Sequence, residues 1–334
     1  MANYKNIKGF NIQYLDSDPP NPIEGQMWFN STSQTLKGVE AGGVAAGTWA
    51  SGGIANNARG NQTGTGTQTA GLTFGGADPS PPVNVGYTEI YNGTSWTETG
   101  DLNTARRHLA GGIGTTTAAL GTGGQTSAGP PIVYTAFTEN FNGTSWTEVS
   151  DLNTSRYFLT GAGTSTAALA FGGKTPADTA FTESWNGTSW TEVSDLNTAK
   201  SEANPAGTQT AALSIGGSPT PLRTQTELYN GTSWTEVGTL NGATGYGSGC
   251  GTSTDALTFG NGNRPQPVSV QTEYWNGSTW TEVADLANQG YAGAGAGSGS
   301  AGALQMLGYN YSVYVAATEE WTVPEYVVKT FTTS

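Results

Sequence analysis

Cysteine and histidine are almost missing from this 334-residue chain, which has one of each, Cys250 and His108. One cysteine excludes an intrachain disulfide. One histidine excludes a histidine-rich zinc or copper site, so no metal and no cofactor is expected. Charge is scarce as well. Asp, Glu, Lys and Arg together make 11% of the residues, against roughly 25% in an ordinary globular domain. The balance is acidic, 25 Asp and Glu against 12 Lys and Arg, for a net charge of −13. That disfavours the clustered cations of a nucleic-acid surface. No stretch approaches the ~20 apolar residues of a membrane span, so no membrane insertion is expected. Residues 1–13 lack the apolar core of a secretory signal. The expectation is a protein made in the cytoplasm that leaves it only inside something assembled there.

What is abundant narrows the class. There are 50 Gly, 10 Trp, 14 Tyr and 10 Phe. A charge-poor, Gly-rich chain is either disordered or a packed β protein with many tight turns, and the aromatic content favours the second. The length suits one large all-β domain or about two average ones. Helical periodicity is absent throughout.

The chain repeats itself. Asn-Gly-Thr-Ser-Trp-Thr-Glu occurs at 92–98, 142–148, 186–192 and 230–236, with Ser and Thr exchanged at 276–282. Trp49 aligns with the anchors Trp96, Trp146, Trp190, Trp234 and Trp280, at steps of 47, 50, 44, 44 and 46 residues. A Gly-Gly pair follows an apolar run at 75, 123, 172 and 216, and Thr-Glu followed by an aromatic recurs from Thr88-Glu89 to Thr318-Glu319. These marks count six units. In the unit from Arg156, four strands are expected at Tyr157–Gly163, Ala167–Phe171, Ala180–Trp185 and Ser189–Val193. The last two are joined by Asn186-Gly187 as a type I′ turn. The first strand of each unit is rich in Gly and Ala, which suits strands converging on a crowded axis.

Four strands per 44–50 residues fit a β-propeller blade. The Gly-Gly, aromatic and Trp marks resemble the kelch repeat, with a shortened spacing from aromatic to Trp (Tyr229 to Trp234). The resemblance covers about 48–321. It implies an all-β, six-bladed kelch-like propeller of four-stranded antiparallel blades over 48–334. The last unit lacks a Trp-bearing fourth strand, so the Trp49 strand is expected to complete it and join the ends of the ring. Val327–Phe331 is expected as one more edge strand.

Residues 1–47 differ in composition. Asp18–Pro22 reads as a turn, and Gly25–Asn30 followed by Thr35–Lys37 as a hairpin with an aromatic face. This GxxWxN hairpin, joined to the repeats, is similar to virion-associated proteins of marine tailed bacteriophages. The resemblance implies a non-enzymatic virion protein, a tail or capsid appendage. Residues 1–47 would attach it to other virion proteins through Trp28, Phe29 and Leu36. The propeller would be displayed in several copies or as a homo-oligomer, with host surface glycan or protein as its ligand. The alternatives are a glycan-active propeller enzyme of sialidase or lyase type and a cellular protein-interaction propeller.

Catalytic signatures are few. The histidines and Cys-Tyr pair of kelch-like copper oxidases are missing, and the Asn186-to-Trp190 turn is one residue short of a sialidase box. The repeated Glu residues read as scaffold on solvated strand faces. The Asn-Gly-Thr sequences match a glycosylation acceptor but are explained by turn chemistry. Asp101, Asp151 and Asp195 are expected to bond backbone in turns, and Cys250 to be a small buried filler. Binding is expected on the face where the connections between strands two and three and between units emerge. That face carries irregular Pro-rich loops and half of the cations, Arg106, Arg107, Arg156, Lys200, Arg223 and Arg264. His108, Tyr157, Tyr246 and Tyr291 lie near its axis. Flat rings and forked donors together suit sugar faces and acidic groups.

Overall fold

The computed structural model describes residues 12–20, 22, 25–79, 82–218, 222–260, 262, 270–288, 292–310 and 313–331. It divides into two compact units. One is Thr48–Thr322, and the other joins Met1–Gly47 to Val323–Ser334. Residues 323–334 are thus not part of the repeats, where their sequence had placed them. Instead, strand Tyr326–Phe331 pairs antiparallel with Thr35–Ala41, Leu36 opposite Phe331.

Thr48–Thr322 is built from repeated four-stranded antiparallel sheets, an architecture of β-propeller-like class. In one of them the strands run Thr160–Thr164, Ala167–Phe171, Thr182–Trp185 and Trp190–Glu192. The inner strand starts three residues later than the sequence suggested, because Phe158 turns the chain at φ 57°. The hairpin also differs. Trp185 faces Trp190 across a four-residue loop. Gly187 takes positive φ there, while the Asn186 side-chain oxygen accepts the Thr188 and Ser189 N–H groups at 2.9 Å. The carboxamide satisfies those donors, so Asn186 need not adopt the left-handed conformation that a type I′ turn demands. Strand Thr48–Ser51 pairs with Tyr314–Thr322, with Trp321 opposite Trp49.

Small residues let backbone segments approach one another. Gly163 has φ 116°, and a Cβ there would lie 2.3 Å from the Ala167 carbonyl. In the Gly-Gly mark, a Cβ on Gly172 would lie 2.5 Å from the Lys200 carbonyl, and Gly173 N–H donates to that same carbonyl. Both conformations favour glycine on steric grounds.

The cores lie between consecutive sheets. Leu120 of one sheet packs with Ala168, Ala170, Trp185 and Trp190 of the next. Leu169 and Phe171 meet Ala212, Tyr229 and Trp234, and Leu213 and Ile215 meet Ala256, Trp275 and Trp280. Each anchor Trp also reaches the neighbouring sheet by a hydrogen bond. The indole N–H groups of Trp146, Trp190, Trp234, Trp280 and Trp49 donate to the hydroxyls of Thr88, Thr138, Thr182, Thr226 and Thr272, and Trp96 donates to Thr318. A buried indole N–H needs such a partner, and the Thr of the Thr-Glu mark supplies it.

In the other unit, Gln13–Leu15, Met27–Asn30, Thr35–Ala41 and Tyr326–Phe331 form a four-stranded sheet. Asp18 accepts from the Trp28 indole at 3.0 Å and the Asn30 amide at 2.7 Å, and pairs with Lys37. The Lys37 bond, then those of Asn30 and Trp28, lower the Asp18 pKa to about 2. Trp28 and Leu36 are buried, so their side chains are not available to an external partner, which corrects their assignment as attachment residues. Phe29 is half-buried. It is opposite Tyr14 and Leu36 in register and 5.2 Å from the Tyr14 ring.

Candidate functional site

Three of the six cations assigned to a ligand belong to the scaffold. Arg106, Arg156 and Lys200 are buried. They pair with Glu139, Glu183 and Glu227 at 2.8, 2.9 and 3.1 Å, and Arg59 pairs with Glu89 at 2.9 Å. These are the Glu residues of the Thr-Glu mark, and they are buried rather than on a solvated face. Those of the Trp-Thr-Glu mark, such as Glu192, are exposed as expected of a solvated face. Each buried Glu also holds the loop entering its sheet. Glu183 accepts the Asn153 N–H at 2.7 Å and the Asn153 side-chain amide at 2.8 Å. Burial pulls the Arg106, Arg156 and Lys200 pKa values down, and the paired carboxylates oppose that. A cation so engaged cannot turn to a ligand without leaving a buried carboxylate uncompensated. Asp101, Asp151 and Asp195 do bond backbone, but across thirteen residues, to the N–H groups of Thr88, Thr138 and Thr182. Cys250 is buried, and its thiol is pushed up to about 12 by burial.

Two residues beyond each of these four cations, and beyond Thr244 and Gly290 at the same place in the repeat, the chain enters the left-handed region. Asn61, His108, Phe158, Glu202, Tyr246 and Ala292 have φ between 55° and 59°. Side chains other than glycine pay roughly 1–2 kcal/mol for this conformation. A ring of main-chain bonds offsets the cost. His108 N–H donates to the Asn61 carbonyl, Phe158 to His108, Glu202 to Phe158, Tyr246 to Glu202, Ala292 to Tyr246, and Asn61 back to Ala292, at 2.8–3.2 Å.

This ring rims a recess of about 640 Å³, its open mouth counted, between the inner strands. A second recess shares Gly112, Pro205, Gly249 and Gly295 with it and continues along the glycine-rich strands. Aromatic rings gather at the rim. The His108 and Phe158 centroids are 3.7 Å apart, Tyr246 meets Phe158 edge-on at 5.7 Å, and Tyr157 lies 5.0 Å from Phe158 and stacks on Tyr134 at 5.5 Å. Lys174 stands 5.6 Å from the Phe158 ring centre and 3.9 Å from the Glu202 carboxylate.

Of the expected ligand residues, the structure therefore brings His108, Tyr157 and Tyr246 together, with Tyr157 itself buried. Arg107 is half-buried beside His108 and donates to the Ala128 carbonyl. Arg223 is half-buried at the start of a third strand, away from the recess lining. Arg264 and Tyr291 lie outside the described residues. Asn61, Phe158, Glu202 and Lys174 were missed. The first three share a column with His108, two places after Arg59, Arg106, Arg156 and Lys200, and that register is the only signal for them in the sequence.

The same face is also the apolar one. Ile54, Val83, Ile132, Val133, Phe137, Phe181 and Val313 are the exposed large apolar side chains among the described residues of Thr48–Thr322. All lie in connections between second and third strands or between units. The opposite turns present Asn, Gly, Thr and Ser. No family model matches the chain, and no curated protein matches it.

Proposed function

We propose that Thr48–Thr322 is a six-bladed, kelch-like propeller closed by the Thr48–Ser51 strand. In this reading the protein is a non-enzymatic virion protein of the tailed-phage type, held to the particle by the unit containing residues 1–47 and displaying the propeller toward a host-surface glycan. Two closed circuits support the six-fold reading: the main-chain ring through Asn61 and Ala292, and the Trp-to-Thr bonds that return from Trp96 to Thr318. The binding role rests on one observation. Aromatic rings gather at the mouth and the exposed apolar side chains lie on connections of the same face, while the repeated titratable groups are committed to holding loops and sheets. Recognition usually resides on loops carried by a rigid scaffold. Weak single sites gain strength when displayed in many copies. The virion assignment is carried by the likeness of the GxxWxN hairpin and repeats to phage appendage proteins.

The test is incorporation. An antibody raised against Thr48–Thr322 is expected to label intact tailed particles purified from the source culture and to block their adsorption. Purified particles that contain none of the chain would overturn the reading.

A further inference from the structure

The chemistry of the recess narrows the class of sugar, an inference that rests on the glycan-binding role above. Among the described lining residues, Glu202 is the one with a charged side chain; Arg106, Arg156 and Lys200 are absent from the lining. Those three cations sit in ion pairs. The Lys174 ammonium, 5.6 Å from the Phe158 ring centre, already faces two carboxylates, Asp178 at 3.8 Å and Glu202 at 3.9 Å. The Glu202 carboxylate lies within the wall, its side chain 1% exposed, so an acidic sugar entering the mouth meets negative charge buried behind the rim and no cation in the lining to receive its own. Like charges brought together at a recognition site select against the wrong ligand.

The rest of the rim suits an uncharged ring. His108, Phe158 and Tyr246 are each partly exposed there, with Asn61 as a neutral donor and acceptor on the same main-chain circuit. Flat rings offer apolar area at low entropic cost, and a few placed polar groups set orientation. The circuit of main-chain bonds holds the backbone beneath these side chains, so little of the binding energy is lost in ordering it. We infer that the mouth ring Asn61–His108–Phe158–Tyr246 takes a neutral pyranose unit and rejects sialic and uronic acids.

The experiment uses the full chain coupled to beads and two probe sets. One holds glucose, galactose, mannose and N-acetylglucosamine conjugates; the other holds N-acetylneuraminic acid and glucuronic acid conjugates. Wild type is expected to bind at least one neutral probe and neither acid. His108→Ala, Phe158→Ala and Tyr246→Ala are made separately, and those that melt like wild type are read. Each is expected to weaken the neutral signal roughly tenfold. Glu202→Gln is expected to raise the acidic signal relative to the neutral one. Thr188→Ala, on the opposite face, is expected to leave both unchanged. Binding of the acidic set alone, or neutral binding that survives all three aromatic changes, overturns the inference and leaves glycan binding in place. Binding of neither set overturns the glycan-binding role as well.

Discussion

Arg156 and Glu183 give the sharpest test of how the sheets are held. Arg156→Met removes the guanidinium that bonds the Gly172 and Phe181 carbonyls and Glu183. Breaking a buried pair from one side typically costs about 3–5 kcal/mol. The lower end is expected here. Glu183 keeps the Asn153 N–H and side-chain amide and the Thr154 N–H. The protein also contains its own controls. Glu273 is buried with Thr244 in the Arg position, and Glu319 with Gly290 there by sequence. Both make loop N–H bonds, and neither has an ion pair with a described residue. Glu183→Ala is harsher. It leaves a buried guanidinium without its carboxylate and strips the Asn153 N–H of its acceptor, an added penalty of about 1–3 kcal/mol. The expected costs are thus about 3 kcal/mol for Arg156→Met and about 5 kcal/mol or more for Glu183→Ala. At roughly 2 °C per kcal/mol for a unit of this size, the melting temperature drops by about 6 °C and about 10 °C. Urea unfolding followed by circular dichroism measures both. Arg156→Met should also leave sugar binding intact. A Glu183→Ala variant more stable than Arg156→Met would refute the reasoning, as would either variant matching wild type.

Three further outcomes are expected. Trp190→Ala should cost about 3–5 kcal/mol, and Trp190→Phe, which keeps an aromatic ring but loses the bond to Thr138 and part of the buried volume, about 1–2 kcal/mol; a Trp190→Phe variant as stable as wild type in calorimetry would contradict the indole's bonding role. The Asp18 carboxyl is held down to about 2 by Lys37, Asn30 and Trp28, so its contribution is complete above its ordinary value near 3.8 and disappears as pH falls toward 2; Trp28 fluorescence should change in that window, and an unaltered profile in Asp18→Asn would exclude this origin. A chain reduced to Thr48–Thr322 should still unfold in one cooperative transition but fail to enter particles, whereas removing residues 1–47 alone strips strand Tyr326–Phe331 of its partner; normal incorporation of the reduced chain would contradict the anchoring role.

The attachment unit shows how far local rules reach. Its hairpin was legible from Gly25–Asn30 and the turn after it, because turn residues and alternation act within a few positions. Its fourth strand was not assigned there, because Val327–Phe331 pairs with a partner nearly three hundred residues away. The same division runs through the repeats. Unit length, strand number, the Gly-Gly approaches and the anchor Trp residues are written locally, as periodicity and as the absence of side chains where backbones crowd. The pairing of the Trp49 strand was also open to sequence, because the last unit visibly lacked a Trp.

The roles of the cations needed the tertiary structure. Arg106 and Arg107 are neighbours in the chain, yet one is buried against Glu139 and the other half-exposed. Which carboxylate meets which guanidinium depends on how each connection between units folds against a third strand, not on composition. The mouth ring was hidden for a related reason. Phe158 is turned into the left-handed region by an N–H bond to His108, fifty residues earlier, and nothing in the local sequence marks that bond. Sequence alone therefore determined the repeat and the small residues and turns that let it pack. The tertiary structure decided which polar groups hold the sheets together and which side chains are left to face the mouth, because burial and hydrogen-bond partners are properties of neighbouring sheets packed together rather than of any one unit.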